Sequence, residues 1–297
     1  MAYDYKTILI QLDPPIGEII LDQPEKRNLL TYDRLCEIAE AAREMERDDN
    51  VKVIIIKGEG PCFSAGYDLN PPKQGKDTSR PGNNASIHLD RDRIWGSSNR
   101  HHLSVYFTLW DLQKPVIAQI HSYCLGGGSE LAAFCDIRFV ADDAVIAWPG
   151  ARAGSPGNIQ YAPWLIGITK AKEMYFTGDS VDAQEAWRVG WATRVYPRAR
   201  LQEETEKFAR RIALIETDLM MMTKRGINRQ LEMMGFRTGL ESWNLDLVAL
   251  SGFRKSNGEF RRIIEENGLK AALDWRDGKF GAFRAKQPGI PEEPGKK

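Results

Sequence analysis

The chain has 297 residues, in which 41 Lys plus Arg balance 41 Asp plus Glu for a formal net charge of zero. That length suits one large domain, or one domain with an appendage, and buries enough core to need no disulfide staples. The charge balance gives no support to nucleic acid or an acidic membrane surface as a main partner. The four cysteines, Cys36, Cys62, Cys124 and Cys135, form no C-x-x-C pair and have no histidine at zinc spacing. They read as reduced thiols, and no metal site is expected. Residues 1–6 carry no signal-peptide apolar core, and no run reaches membrane-span length, so a cytoplasmic location is expected.

In chain order, Thr7–Leu12 and Ile16–Leu21 are β-type runs split by Asp13-Pro14-Pro15, which predicts a hairpin. Residues 23–28 are a polar loop. Thr31 is a fitting N-cap for a helix in which Leu35, Ile38, Ala39, Ala42 and Met45 recur at helical spacing, up to Asp48-Asp49-Asn50. Val51–Lys57 reads as a buried strand, 58–69 as a Gly-rich loop, and 70–84 as a surface loop by composition. A helix is expected over about 90–112, a strand over 116–120, and a Gly-rich turn at 124–128 opening a helix over 129–135. Strands follow at 137–141 and 144–148. The alternation predicts an α/β domain. From 199 onwards only helical periodicities remain, over 201–214, 220–233, 236–254 and 260–273. Their Met220, Met221, Met222, Met233, Met234, Trp243, Leu247 and Leu250 serve either as core or as a subunit interface. The tail from 287 reads as disordered.

Two segments could carry chemistry. Gly60-Pro61-Cys62-Phe63-Ser64-Ala65-Gly66-Tyr67-Asp68-Leu69 follows a strand with small residues at its turn, which lets a ligand approach the backbone. Cys124-Leu125-Gly126-Gly127-Gly128-Ser129-Glu130-Leu131-Ala132 places three glycines before an apolar helix, whose first amides have no internal partner. Such amides suit a developing oxyanion. The second segment lacks the Gly-Lys-Ser/Thr ending of a P-loop and the dinucleotide glycine spacing. Taken singly, each reads as an ordinary glycine turn, and Glu130 as a carboxylate complementing the helix dipole.

Together they resemble the crotonase, or enoyl-CoA hydratase/isomerase, family. Further blocks match in order: Gln23-Pro24-Glu25-Lys26-Arg27-Asn28-Leu29-Leu30, Lys114-Pro115-Val116-Ile117-Ala118, Cys135-Asp136-Ile137-Arg138, Phe176-Thr177-Gly178, Asp182–Ala186 and Gly190-Trp191-Ala192. The resemblance implies a spiral of ββα units over 1–198 and a helical trimerisation region over 199–285, and the remaining tail over 286–297 is expected to be disordered. It implies a homotrimer or homohexamer, with coenzyme A as the thioester carrier and no other cofactor. By residue, it implies that the backbone N–H groups of Tyr67 and Gly127 hold the thioester oxygen, with the Tyr67 side chain playing no part in that role. Glu130 is the implied general acid/base. Lys26, Arg27, Leu29, Ala65, Gly66, Asp68 and Gly126 are implied in coenzyme A binding.

The chain departs from the family pattern where a second glutamate is expected after a proline. Gly150 stands there, in Trp148-Pro149-Gly150-Ala151-Arg152. Trp148, Gly150, Asn158 and Tyr161 are the candidate pocket residues, and Arg152 and Gln160 could also supply a substitute polar group. The expected activity is hydratase-like addition or elimination of water on a 2-enoyl-CoA. An isomerase, a carbon–carbon hydrolase or decarboxylase, and a non-catalytic CoA-ester binder stay open. His88, His101 and His102 lie in the variable segment bordering the acyl pocket, and His121 precedes the Gly turn. Surface or structural roles are expected for them, with His101 and His102 worth testing.

Overall fold

The computed structural model describes residues 5–69, 98–250 and 255–281. The expected loop at 70–84, His88, the start of the helix predicted from 90, and the tail lie outside the described residues, as does the side chain of His101.

A six-stranded sheet runs β1-β2-β3-β4-β6-β9, with β1 Ile8–Asp13, β2 Ile16–Leu21, β3 Val53–Gly58, β4 Val116–Ile120, β6 Ile137–Ala141 and β9 Arg194–Tyr196. β1 pairs antiparallel with β2, as the hairpin reading expected, and the other pairs are parallel. A second sheet joins β5 Tyr123–Leu125, β7 Val145–Ala147 and β8 Ser180–Asp182. It grows directly from the first: β5 leaves β4 after a two-residue turn, with Ser122 in the left-handed region at φ 53°.

The central strands β2, β3, β4 and β6 are buried on both faces, which is why they read as apolar runs. One face packs Ile19, Leu21, Ile54, Ile56, Ala118, Ile120 and Val140 into the main core, together with α1 Tyr32–Arg47 and α2 Ser98–Asp111. The Thr31 hydroxyl accepts from the Arg34 N–H at 3.2 Å, so the expected N-cap is in place, and Leu35, Ile38, Ala39, Ala42 and Met45 are buried. The other face, Ile16, Val53, Ile55, Ile117, Phe139 and Ala141, is covered by Leu201 and Ala209 of α7 Leu201–Ile212.

Before α7 in the chain come the shorter helices α3 Gly127–Ala133, α4 Ala162–Ile166, α5 Ile168–Thr177 and α6 Ala183–Arg188. Helix α3 begins two residues before its expected start because Gly126, at φ 51°, is its N-cap. The chain continues with α8 Thr217–Met233, α9 Phe236–Leu250 and α10 Lys255–Gly278. α8 is anchored by buried Lys224, whose ammonium donates to Asp136 at 2.7 Å and to the Lys114 carbonyl at 3.1 Å. The apolar residues of this region divide: Met220 and Leu247 are buried, whereas Met222, Met233 and Met234 are exposed, with Leu219 and Ile227 beside them.

Candidate functional site

The site is assembled from three loops, and one buried asparagine ties the first two. Asn28 sits in the left-handed region at φ 52°. Its side chain accepts from the Gln23 N–H at 3.0 Å and donates to the carbonyls of Glu59 and Cys62, each at 2.9 Å. The Asn28 carbonyl accepts from the Ser64 hydroxyl at 2.7 Å, which in turn accepts from the Gly66 N–H at 3.1 Å. The Ala65 N–H donates to the Arg27 carbonyl at 2.9 Å. Loop 23–30 and turn 62–68 are therefore one hydrogen-bonded body. Lys26 and Arg27 project from it exposed, while Leu29 is half-buried and gives its carbonyl to the Arg34 guanidinium at 2.7 Å.

The turn then meets the triple glycine. The Ser64 N–H donates to the Tyr123 carbonyl at 2.9 Å and the Leu125 N–H to the Ser64 carbonyl at 3.0 Å, a parallel bridge. Gly66 has φ 98°, and a Cβ there would lie 2.6 Å from the Leu125 carbonyl oxygen and 3.4 Å from the Gly127 nitrogen. Only glycine lets the two backbones come this close. A Cβ on Gly128 would lie 2.9 Å from the Ser64 Cβ, so this glycine too is required by packing.

This arrangement leaves two amides over. The bridge between Leu30 and Tyr67 uses the Gly66 carbonyl, which accepts from Leu30 at 2.8 Å, and the Asp68 N–H, which donates to Leu30 at 3.3 Å. The Tyr67 N–H takes no part. Gly127 is the first residue of α3, where an amide has no intrahelical acceptor. Among the described residues, no acceptor takes the N–H of either Tyr67 or Gly127. Gly126, between the two turns, donates to the Ala147 carbonyl at 2.9 Å.

Glu130, one turn into α3, is completely buried. One carboxyl oxygen accepts from the Ile159 N–H at 2.9 Å, and the other accepts from the Tyr67 hydroxyl. Burial pushes this carboxyl from 4.5 up to about 8, against the pull of the Tyr67, Ile159 and Asn158 donors. The Tyr67 hydroxyl also lies 2.8 Å from that of Tyr106, which reaches the Gly127 carbonyl at 3.4 Å. The Tyr67 ring stacks on His102 at 5.0 Å and 15°. A Cβ on Gly127 would come within 2.8 Å of that ring. The sequence reading used only the backbone of Tyr67; its side chain is also in the site.

The place of the absent second glutamate is filled by an indole. A Cβ on Gly150 would lie 2.9 Å from Trp148 Nε1 and 3.2 Å from the Ser155 Cβ. The Trp148 ring also approaches Gly126, and its N–H donates to the Ser155 carbonyl at 3.1 Å. Asn158 offers its backbone amide to Glu130, and Tyr161 is buried with its hydroxyl beside Ser129 and Trp191. Arg152 and Gln160 do not join the site. The Arg152 guanidinium donates to the Thr177 carbonyl at 3.0 Å and pairs with Asp179, and the Gln160 amide donates to the Pro156 carbonyl. His121 lies 3.0 Å from the Gly60 carbonyl, and burial together with Arg198 lowers its pKa.

Tyr106 was absent from the sequence reading. The available signal was its spacing from His102, four residues along one helix face, with both side chains turned to Tyr67.

Residues 13–244 match the family model described as enoyl-CoA hydratase/isomerase. EchA13 of Mycobacterium tuberculosis, which bears an enoyl-CoA hydratase name, is 36% identical over 238 residues, 77% of this chain and 75% of that protein. Crotonyl-CoA hydratase of Syntrophomonas wolfei is 30% identical over 212 residues, 70% of this chain and 76% of that one. The crystal structure of an enoyl-CoA hydratase/isomerase from Xanthobacter autotrophicus superposes with a TM-score of 0.83 at 31% identity, over 93% of this chain and 99% of that one.

Proposed function

The chain belongs to the enoyl-CoA hydratase/isomerase family and has its crotonase-type fold, and from that premise we propose that it is a hydratase-like lyase acting on a 2-enoyl-CoA thioester. The observation that carries the reading is the buried Glu130 carboxyl standing beside two uncommitted backbone amides. The thioester oxygen accepts from the N–H groups of Tyr67 and Gly127. Each such donor supplies about 3 kcal/mol of transition-state stabilisation as the oxygen becomes an enolate. Ionised Glu130 takes a proton from water as the water oxygen adds to the β-carbon, and the double-bond electrons move onto the carbonyl oxygen. A proton from Glu130 then returns to the α-carbon side of the substrate. Because Glu130 acts first as a base, kcat/KM rises with pH through about 8 and levels off above it.

Exposed Lys26 and Arg27 on the loop held by Asn28 suit the phosphates of coenzyme A, with Leu29, Ala65, Gly66, Asp68 and Gly126 along its path. The exposed Met222, Met233 and Met234 on and beside α8 suit a subunit interface, in keeping with a trimer or a pair of trimers. Gly150 favours one second reading, double-bond isomerisation, which moves a proton between carbons and needs no water held by a second carboxylate. Glu130→Gln is expected to abolish turnover of a panel of short, long and cyclic enoyl-CoAs while CoA-ester binding survives. Unchanged hydration by that variant would sink the assignment, and double-bond migration without hydration in the wild type would select the isomerase.

A further inference from the structure

Glu130 is fully buried, and both its oxygens are taken, one by the Ile159 N–H and one by the Tyr67 hydroxyl. Tyr67 is only half-buried, and its ring lies against Gly127, one of the two amides proposed to hold the thioester. The Tyr67 side chain thus links the Gly127 turn to the Glu130 carboxyl, with its hydroxyl on the carboxyl. Taking the hydratase-type reading above as its basis, we propose that the Tyr67 hydroxyl is a catalytic residue: it carries the proton between substrate and Glu130, and the carboxyl never touches the reacting carbons.

The surrounding hydrogen bonds accommodate both ends of such a transfer. When Glu130 is ionised, Tyr67 donates to it and Tyr106 can donate to Tyr67. When Glu130 is protonated, it donates to Tyr67, Tyr67 donates to Tyr106, and Tyr106 turns to the Gly127 carbonyl. Neither state strands a buried hydroxyl. Burial and the Glu130 charge keep the Tyr67 hydroxyl well above the ordinary tyrosine pKa, so it serves as a conduit and not as a standing phenolate.

The step balances. As the α-carbon–hydrogen bond breaks, its proton goes to the Tyr67 oxygen, and the hydroxyl's own proton passes to the Glu130 carboxylate. The bonding pair becomes the enolate held by the two amides. Glu130 gains one proton, the substrate loses one, and Tyr67 ends as it began. In hydration the proton of water travels inward by this path and then outward to the α-carbon. His102, stacked on the ring, keeps the hydroxyl aimed.

The test compares full-length wild type, Tyr67→Phe and Glu130→Gln in three measurements. These are deuterium exchange at the α-carbon of bound butyryl-CoA, calorimetric affinity for the same ester, and the proton inventory of crotonyl-CoA hydration in mixed light and heavy water. Tyr67→Phe is expected to slow exchange and hydration by about 100-fold or more, with affinity held within about threefold. The wild-type inventory should be curved, because two protons move together. Exchange and hydration within about threefold of wild type in Tyr67→Phe, while Glu130→Gln is dead, would overturn the relay and leave the function standing. An active Glu130→Gln would instead overturn the function itself. Should Tyr67→Phe not fold, difluorotyrosine at position 67 keeps the shape and makes the hydroxyl more acidic. A changed exchange rate on the high-pH plateau, where Glu130 is fully ionised, then supports the relay, and an unchanged plateau refutes it.

Discussion

Replacing Glu130 by glutamine removes a buried carboxyl whose ionisation the fold opposes, so the variant should gain stability over the wild type as the solution becomes alkaline. In the folded chain the carboxyl titrates at about 8, against 4.5 when unperturbed. Below 4.5 it is protonated in both folded and unfolded chains and contributes no difference. Between the two values the folded chain holds a proton that the unfolded chain has released, so wild-type stability falls with rising pH until about 8. At about 1.4 kcal/mol per pH unit, the full span amounts to roughly 5 kcal/mol. The assay is urea unfolding of wild type and Glu130→Gln at pH 5, 7 and 9, at one protein concentration. Taking the difference between the two proteins at each pH cancels every other titrating group. Glu130→Gln should improve relative to wild type by about 2.5 kcal/mol between pH 5 and 7, and by about 4 kcal/mol between pH 5 and 9. A difference that stays flat across this range would refute the account of a carboxyl held protonated by burial.

Three further outcomes follow from the loops. Asn28→Ala deletes three hydrogen bonds and should cost about 3 kcal/mol in unfolding free energy, with a raised KM for any CoA ester because loop 23–30 is released. Gly66→Ala forces a Cβ to 2.6 Å from the Leu125 carbonyl at φ 98°, and should lower the melting temperature and abolish turnover. Its cost should be roughly 3 kcal/mol, readable by calorimetry. Gly150→Glu drives its side chain into Trp148, so it should destabilise by about 1–3 kcal/mol and leave the hydration rate no higher than wild type. A rate increase in that single variant would show that the indole moves aside freely.

The two glycine turns could be read from the sequence because their demands are local. Gly66, at φ 98° with the Leu125 backbone against it, has to be glycine, and so does Gly126, whose φ 51° is combined with ψ −118°. Glu130 was visible because it stands two residues past Gly128, the last glycine of the triple. What surrounds Glu130 was not visible. Tyr67 and Tyr106 are 39 residues apart, and Ile159 reaches Glu130 across 29, so no window of the chain contains the network. The missing carboxylate at Gly150 could be read, but not that Trp148 folds back into its place. The three-residue strands Tyr123–Leu125, Val145–Ala147 and Ser180–Asp182 are too short for periodicity to declare, although 144–148 was read as a strand. The same sheet carries Gly126 by its bond to Ala147 and so sets where α3 begins.

Both unclaimed amides belong to the main chain, and this has a consequence for how such a protein can diverge. Exchanging the side chain at 67 does not delete the amide at 67, and the amide at 127 belongs to a residue that has no side chain to lose. On the proposed reading, the anchoring of a carbonyl oxygen would thereby be insulated from most single-codon changes, while positions 67, 148 and 150 remain free to vary around it. A scaffold of this kind can drift from one proton itinerary to another without an interval in which it grips nothing. On that reading, the tyrosine at 67 and the indole folded over Gly150 would be where this chain uses that freedom.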